Sequence, residues 1–277
     1  MLASSDRIYF DNASTTRLLP AALKQMDEIY QNCYGNSSST HQRGLQAAKE
    51  LEKSRAVIAS RLNAKPEEII FTSGSTESNK WVLEQLAFSV IDKPCHIITT
   101  EIEHPSILQP LKWLKKTFSI DVTYLPVDSS GRVSLSELSA AIQPETVLVS
   151  VIHGNNEIGV IQDLKGIGAC CKERGVLFHT DAAQSFCREE INMEEQQIDF
   201  MSFSAHKIHG PKGIGALYLR QGVELAPLLN GGGHEGGLRS GTVNVPGAVG
   251  FAEAVNGMSK DSEGFIKELS GYFLESL

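Results

Sequence analysis

The chain lacks the features that would tie it to nucleic acid, to a bilayer or to a disulfide-stapled exterior. Its 277 residues carry 25 Lys and Arg against 33 Asp and Glu, a net charge of −8. The basic residues are scattered, which leaves no footprint for a polyanion. No apolar run approaches the length of a membrane-spanning helix, and the opening Met1 to Arg7 lacks a basic stretch followed by an apolar one. A soluble, cytoplasmic protein is expected. The five cysteines, Cys33, Cys95, Cys170, Cys171 and Cys187, include no Cys-x-x-Cys pair and no zinc-like spacing, so neither a disulfide framework nor a zinc site is expected. Cys170 and Cys171 fall in a helical pattern, where neighbours point to different faces and cannot clamp one metal. There is no internal repeat, low-complexity tract, P-loop or dinucleotide-binding glycine fingerprint.

What is present is alternation. Short apolar runs at 68–72, 96–100, 121–125, 146–152, 176–180, 200–203 and 214–219 read as strands, and amphipathic stretches at 46–62, 75–88, 106–117, 134–142 and 164–174 read as helices. That order predicts an α/β sandwich around a largely parallel sheet. Beyond it, Pro246 to Met258 and then Phe265, Ile266, Leu269, Tyr272, Phe273 and Leu277 follow helical spacing. This face has no evident partner and no stop signal, so either it docks back on the domain or a further domain covers it.

The chemistry centres on Lys207, in Ser202-Phe203-Ser204-Ala205-His206-Lys207-Ile208-His209-Gly210-Pro211-Lys212-Gly213. A lysine in this setting is a candidate Schiff-base amine, provided burial or a neighbouring cation lowers its pKa. Upstream, the run Val176 to Thr180 delivers Asp181 to a strand's carboxyl end, where open α/β sheets bind ligands. A lysine-bound pyridoxal phosphate needs an amine, an anion beside the pyridine nitrogen, a flat group over the ring and donors around the phosphate. Lys207, Asp181 and His104 can supply the first three; Asp181 serves equally as a helix N-cap, and His104 as a surface or cap residue. Gln184 and Asn156 can reach the ring's oxygen, although Asn156 is also an ordinary turn former. Phe71-Thr72-Ser73-Gly74-Ser75-Thr76-Glu77 leads a strand through glycine into a helix, the arrangement that presents N–H groups and hydroxyls to an anion, and Ser204 and His206 can add donors. A metal site from His206 and His209 with His234, Glu235 or Asp181 is the rival; Gly210-Pro211 argues against a helix holding both histidines, and no His-Glu-x-x-His run exists.

These residues resemble the cysteine desulfurases of the aminotransferase class V group. Tyr9 to Thr16, Phe71 to Glu77, Glu103-His104, Asn155 to Gly159, Asp181 to Gln184, the Lys207 run and Gly231 to Thr242 occur in that family's order, from about Ile8 to Gly250. The resemblance implies an aminotransferase-like fold of type I, with a mixed, mostly parallel seven-stranded sheet. It implies an N-terminal segment over 1–20, a pyridoxal phosphate-binding large domain over 21–250, and the start of an incomplete C-terminal domain over 251–277. By it, Lys207 binds the cofactor aldehyde, Asp181 pairs with the pyridine nitrogen, and His104 stacks on the ring and serves catalysis. Asn156 and Gln184 contact the ring oxygen, and Ser75, Thr76, Ser204 and His206 hold the phosphate. Thr242 reaches the phosphate of a neighbouring subunit in a homodimer.

The implied reaction takes sulfur from L-cysteine, leaving alanine and an enzyme-bound persulfide for iron-sulfur cluster assembly or thiolation, with a sulfur acceptor or scaffold protein as partner. The family's nucleophilic cysteine and carboxylate-binding arginine follow the Arg-Ser-Gly-Thr segment, whereas the last cysteine here is Cys187. The sequence thus reads as a desulfurase truncated at its C-terminal side. A selenocysteine lyase or other class V enzyme, and a non-catalytic cofactor-binding or dimerising remnant, are the alternatives.

Overall fold

Runs such as Ile69-Ile70-Phe71-Thr72 and Phe200-Met201-Ser202-Phe203 carry no charge on either face because both faces are covered. The computed structural model describes residues 8–89, 93–118, 120–258 and 260–276; Met1 to Arg7 and Leu277, used above to read the two ends, lie outside them. The strands are β1 (Ile69–Thr72), β2 (His96–Thr100), β3 (Asp121–Leu125), β4 (Thr146–Ser150), β5 (Leu177–Asp181), β6 (Phe200–Ser204) and β7 (Gly215–Leu219). They form one seven-stranded sheet in the order β1-β7-β6-β5-β4-β2-β3. Only β7 runs against its neighbours; the other pairs are parallel. This is the expected mixed, mostly parallel sheet.

The helices are α1 (Pro20–Asn32), α2 (Gln42–Arg61), α3 (Ser75–Ser89), α4 (Pro105–Phe118), α5 (Leu135–Ala141), α6 (Leu164–Arg174), α7 (Val245–Gly257) and α8 (Lys260–Glu275). Successive strand residues point to opposite faces, and the core divides accordingly. Ile97 and Leu148 pack with Trp81 and Leu83 of α3 and Leu111 of α4, while Ile98 and Val149 belong with Ile58 of α2, Ile167 of α6 and Phe251 of α7. Trp81 is fully buried, and its indole N–H is satisfied by Ala226 O at 2.8 Å. Helix α6 shows how the ends are set: Asp163 accepts from Gly166 N–H at the start, and Gly175 takes the left-handed conformation, φ 68°, at the end. Among the described residues no helix is long and apolar enough to cross a membrane.

Helix α1 is not marked by the sequence, because only Ala22 and Ile29 along it are buried. It packs on α7, where a Cβ at Gly250 would sit 2.6 Å from Met26 Sδ. On α7, Phe251 meets Phe186 and Phe203, with ring centroids 6.0 and 5.9 Å apart. Residue 250, the expected end of the large domain, therefore falls inside a helix buried in the main core. On α8, Phe265, Ile266 and Phe273 are exposed; this apolar face does not dock back.

The site is placed by topology. All strands but β7 bring their carboxyl ends to one edge, and the chain steps out from β2 to β3 before returning to β4. The reversal between β2 and β4 opens the crevice that such sheets use for ligands. Glu103, in the turn after β2, ties the ends of β2 and β4 together: its Oε1 accepts from Thr100 Oγ1 at 2.7 Å and from Ile152 N–H at 2.9 Å. Burial pushes this carboxyl up to about 8, with nearby Asp181 pushing the same way and the Thr100 and Ile152 hydrogen bonds opposing.

Two predictions follow from these close contacts. The fold holds Glu103 protonated while the unfolded chain ionises it near its ordinary 4.5, so the folded state binds the extra proton and this contribution falls as pH rises from 4.5 to about 8. In Glu103→Gln, the urea midpoint relative to wild type should grow more positive through that window; a difference flat with pH would show that Glu103 titrates normally. At the start of β7, a Cβ on Gly215 would lie 2.5 Å from Phe203 O and 2.7 Å from Gly74 Cα. Gly215→Ala should cost about 2 kcal/mol of stability by overpacking, and an unchanged urea midpoint would mean the turn before α3 yields freely.

Candidate active site

A cleft of about 490 Å³ opens at the carboxyl edge of the sheet, and Lys207, Asp181, His104, Asn156, Gln184 and His206 all line it. They come from four strand ends or the turns that follow: Asp181 closes β5 with Gln184 just beyond it, His104 follows β2, Asn156 follows β4, and His206 and Lys207 lie in a single 3-10 turn after β6. Ser75 and Thr76, at the start of α3, line this cleft and also an adjoining recess of about 340 Å³. Ser204, His206 and Lys212 line that recess too, as does Glu77, whose carboxylate is paired with Arg239. The structure thus gathers every candidate cofactor residue except Thr242, which is exposed and lines neither space.

Asp181 is 3% exposed. Its Oδ1 accepts from Ala183 N–H at 2.9 Å and its Oδ2 from Asn79 Nδ2 at 2.6 Å. Burial pushes the carboxyl up, while these two donors and the more distant charges of His104 and Lys207 pull it down. Among the described residues it makes no ion pair. The carboxylate is oriented and hydrogen-bonded but faces the cleft without a cation.

Lys207 is held by the N-terminal segment. Its Nζ donates to Ala13 O at 2.5 Å and to Ser14 O at 2.9 Å, and Gln184 Nε2 donates to the same Ala13 carbonyl at 2.8 Å. Thr16 fastens the strap, its N–H and Oγ1 both donating to His206 O, at 3.0 and 2.9 Å. Burial, and next the Arg188 guanidinium, push the lysine amine below its ordinary range, against the pull of Asp181 and Asp11. Arg188 Nη2 also donates to Lys207 O at 2.7 Å. The shift is towards the neutral amine, the form that attacks a carbonyl.

The recess suits a small dianion. Ser75 N–H donates to Ser204 Oγ at 2.8 Å, and Ser204 Oγ donates to Ser75 Oγ at 3.1 Å, so hydroxyls and the amino end of a 15-residue helix meet at one point. Glu77, one turn into α3, accepts from Arg239 Nε at 2.9 Å and from Ser73 Oγ at 2.7 Å. That ion pair holds Arg239 beside the recess. The glycine-rich run is anchored a second time by Glu235, which accepts from Arg55 Nη1 and Nη2, both at 2.8 Å, and from Phe71 N–H at 2.7 Å.

Sequence reasoning missed Asn79, Ser106, Arg188 and Lys212. Only Asn79 left a signal, its position four residues after Ser75, which puts the two on one helix face. The rival metal site is not formed: among the described residues, no group of three or more His, Cys, Asp or Glu side chains stands where an ion could be held. None of the five cysteines lines the cleft or the recess.

Known proteins share both the sequence and the fold. A family model described as aminotransferase class-V matches residues 8–268. The mitochondrial cysteine desulfurase of Candida maltosa is 48% identical over 258 residues, covering 92% of this chain and 53% of that protein. The mitosomal cysteine desulfurase of Encephalitozoon cuniculi is 48% identical over 272 residues, covering 95% and 63%. A solved structure described as SspA in complex with cysteine superposes with a TM-score of 0.89 at 39% identity, over 96% of this chain and 78% of that one. The chain spans about half the length of the first of these curated relatives. The mitochondrial and mitosomal relatives overturn the expectation of a cytoplasmic protein, which rested on composition and on the opening residues alone. By sequence and by fold, the chain belongs to the aminotransferase class-V family, among relatives named cysteine desulfurases.

Proposed function

We propose that these residues hold pyridoxal phosphate and activate L-cysteine for desulfuration. The observation that carries this reading is the buried Asp181 carboxylate, which faces without a cation the cleft that Lys207 and His104 also face. A protonated pyridine nitrogen is the cation it fits, and the hydroxyl-lined recess at the start of α3 fits the phosphate. When bound, the cofactor supplies an aldehyde for an amine and an electron sink for the substrate's α-carbon. The protein's part is then positional and electrostatic. Asp181 would keep a proton on the ring nitrogen, Lys207 would supply the amine, and His104 would cover the ring. Asn156 and Gln184 would meet the ring's oxygen, and Ser75, Thr76, Ser204 and His206 would hold the phosphate, with Lys212 adding charge.

Sulfur leaves cysteine as alanine forms, and the acceptor must be a thiolate. The relatives' name, cysteine desulfurase, supports removal of sulfur from cysteine; delivery of that sulfur to iron-sulfur cluster assembly or thiolation is the further step of this proposal. A second reading, cofactor binding without turnover by this chain alone, is favoured by one observation: Cys33, Cys95, Cys171 and Cys187 are buried and no cysteine reaches the cleft.

One experiment separates the two readings. With pyridoxal phosphate, borohydride reduction should leave the cofactor's mass on the peptide holding Lys207, and Lys207→Ala should lose that label while keeping its circular dichroism. Wild-type protein without the label would sink the cofactor reading. Labelled protein that forms no persulfide with cysteine would leave binding without turnover. The exposed Thr242, outside its own cleft but fixed beside it through Arg239, supports a homodimer with shared sites; sedimentation should give twice the chain mass, and a monomer at micromolar concentration would exclude it.

A further inference from the structure

Two side chains that the cleft does not display connect the groups that it does. Asn79 on α3 is fully buried, and its Nδ2 donates one hydrogen to Asp181 Oδ2 at 2.6 Å and the other to Ser106 Oγ at 2.9 Å. Ser106, in the first turn of α4, is buried as well. Its Oγ lies 2.7 Å from His104 Nδ1, and its backbone N–H is directed at the same nitrogen from 3.1 Å. A continuous chain of hydrogen bonds therefore runs from the end of β5, through α3 and α4, to the turn after β2.

The direction of each proton follows. An ionised carboxylate only accepts, so Asp181 forces Asn79 to present N–H. The same NH₂ group gives its second hydrogen to Ser106 Oγ, whose own hydrogen then points to His104 Nδ1. A hydrogen on Nδ1 would meet the Ser106 N–H head on, so neutral His104 carries its proton on Nε2. Asn79 Oδ1 is left buried without a hydrogen-bond partner, because turning the amide over would set that oxygen against the carboxylate.

We propose that Asn79 and Ser106 are positioning residues that couple the charge of Asp181 to the tautomer of His104. The functional meaning of the coupling rests on the cofactor reading above, whereas the relay itself belongs to the cofactor-free protein. With Asp181 ionised, His104 meets the cleft as a donor from Nε2. If Asp181 takes a proton, the reversed amide becomes the better arrangement: Oδ1 accepts from Asp181 and from Ser106, and the Ser106 hydrogen turns away from His104. A proton at the ring-nitrogen side of the cleft is thereby reported on the side where His104 stands.

Asp181→Asn imitates that second state. Ala183 N–H fixes which end of the new amide is oxygen, so its NH₂ faces Asn79 and reverses it. The test is long-range ¹H–¹⁵N spectroscopy of histidine-labelled, cofactor-free protein, with His104 assigned through His104→Gln. Wild type should show the Nε2–H tautomer. Asp181→Asn should move the tautomer ratio towards Nδ1–H by about fivefold, the effect of one neutral hydrogen bond. In a Ser106→Ala background the same substitution should move it by less than about twofold, since distant effects would otherwise add; Ser106→Thr, which keeps the hydroxyl, should restore the response. A wild-type His104 protonated on Nδ1 overturns the proposal whether or not the variants fold, and so does an equal response to Asp181→Asn with and without the hydroxyl. Cofactor binding by wild type, followed separately by absorbance, tests the functional reading and leaves the relay standing or falling on the spectra alone.

Discussion

A carboxylate buried with no cation is the constraint around which the site is built. Removing a charge from water is costly unless donors replace the solvent, and among the described residues Asp181 has only Ala183 N–H and the Asn79 amide to do so. Its place is not negotiable: it ends β5, a central strand with β4 and β6 on either side. Burial drives it towards the neutral form while the two donors, His104 and Lys207 oppose that. A positive group in the cleft would relieve the imbalance, so the charge of Asp181 constrains a fitting ligand more than the cleft's shape does.

Lys207 obeys a different logic. Its position is set by residues far earlier in the chain, since the carbonyls that accept from Nζ belong to Ala13 and Ser14. The strap that carries them is locked to the 3-10 turn at Thr16, so the segment before α1 is a wall of the site. The glycine-rich run is fastened to the same body through Arg55 with Glu235 and Arg239 with Glu77. Ion pairs of this kind contribute little net stability, but losing one partner strands the other charge. Their use here is to fix flexible backbone against α2 and the start of α3.

Much of this was legible in the sequence, and the pattern of what was not has physical causes. The strands at 96–100 and 121–125 and the helix at 164–174 are found with the expected bounds, because apolar runs flanked by polar turns leave little choice. Where a strand's end carries function, the reading slipped: β5 extends to include Asp181, since ladder bonding does not stop at the last apolar residue. The sheet and the candidate residues that line one cleft were visible because motifs and periodicity report chain-local demands. The relay was not, because Asn79 and Ser106 look like ordinary helix residues until the fold sets α3 beside α4. Likewise α1 buries too little to show a stripe, and Arg188 gains its meaning only from the backbone carbonyl it happens to reach.

The same distinction between neighbours in sequence and neighbours in space decides what the cysteines can do. Cys187 lies three residues beyond Gln184, yet its side chain is 2% exposed and belongs to the core that includes Phe186 and Phe203. Burial pushes Cys95 up to about 11 and Cys171 up to about 12, so those thiols keep their protons at neutral pH and are poor nucleophiles. Holding a cofactor rewards rigidity: a buried carboxylate, a strapped lysine, a hydrogen-bonded histidine. Accepting sulfur rewards the reverse, a thiolate that can enter the cleft, react and leave. These residues meet the first demand throughout and the second nowhere, so under the proposed function a sulfur-accepting thiol would have to reach this cleft from outside the described fold.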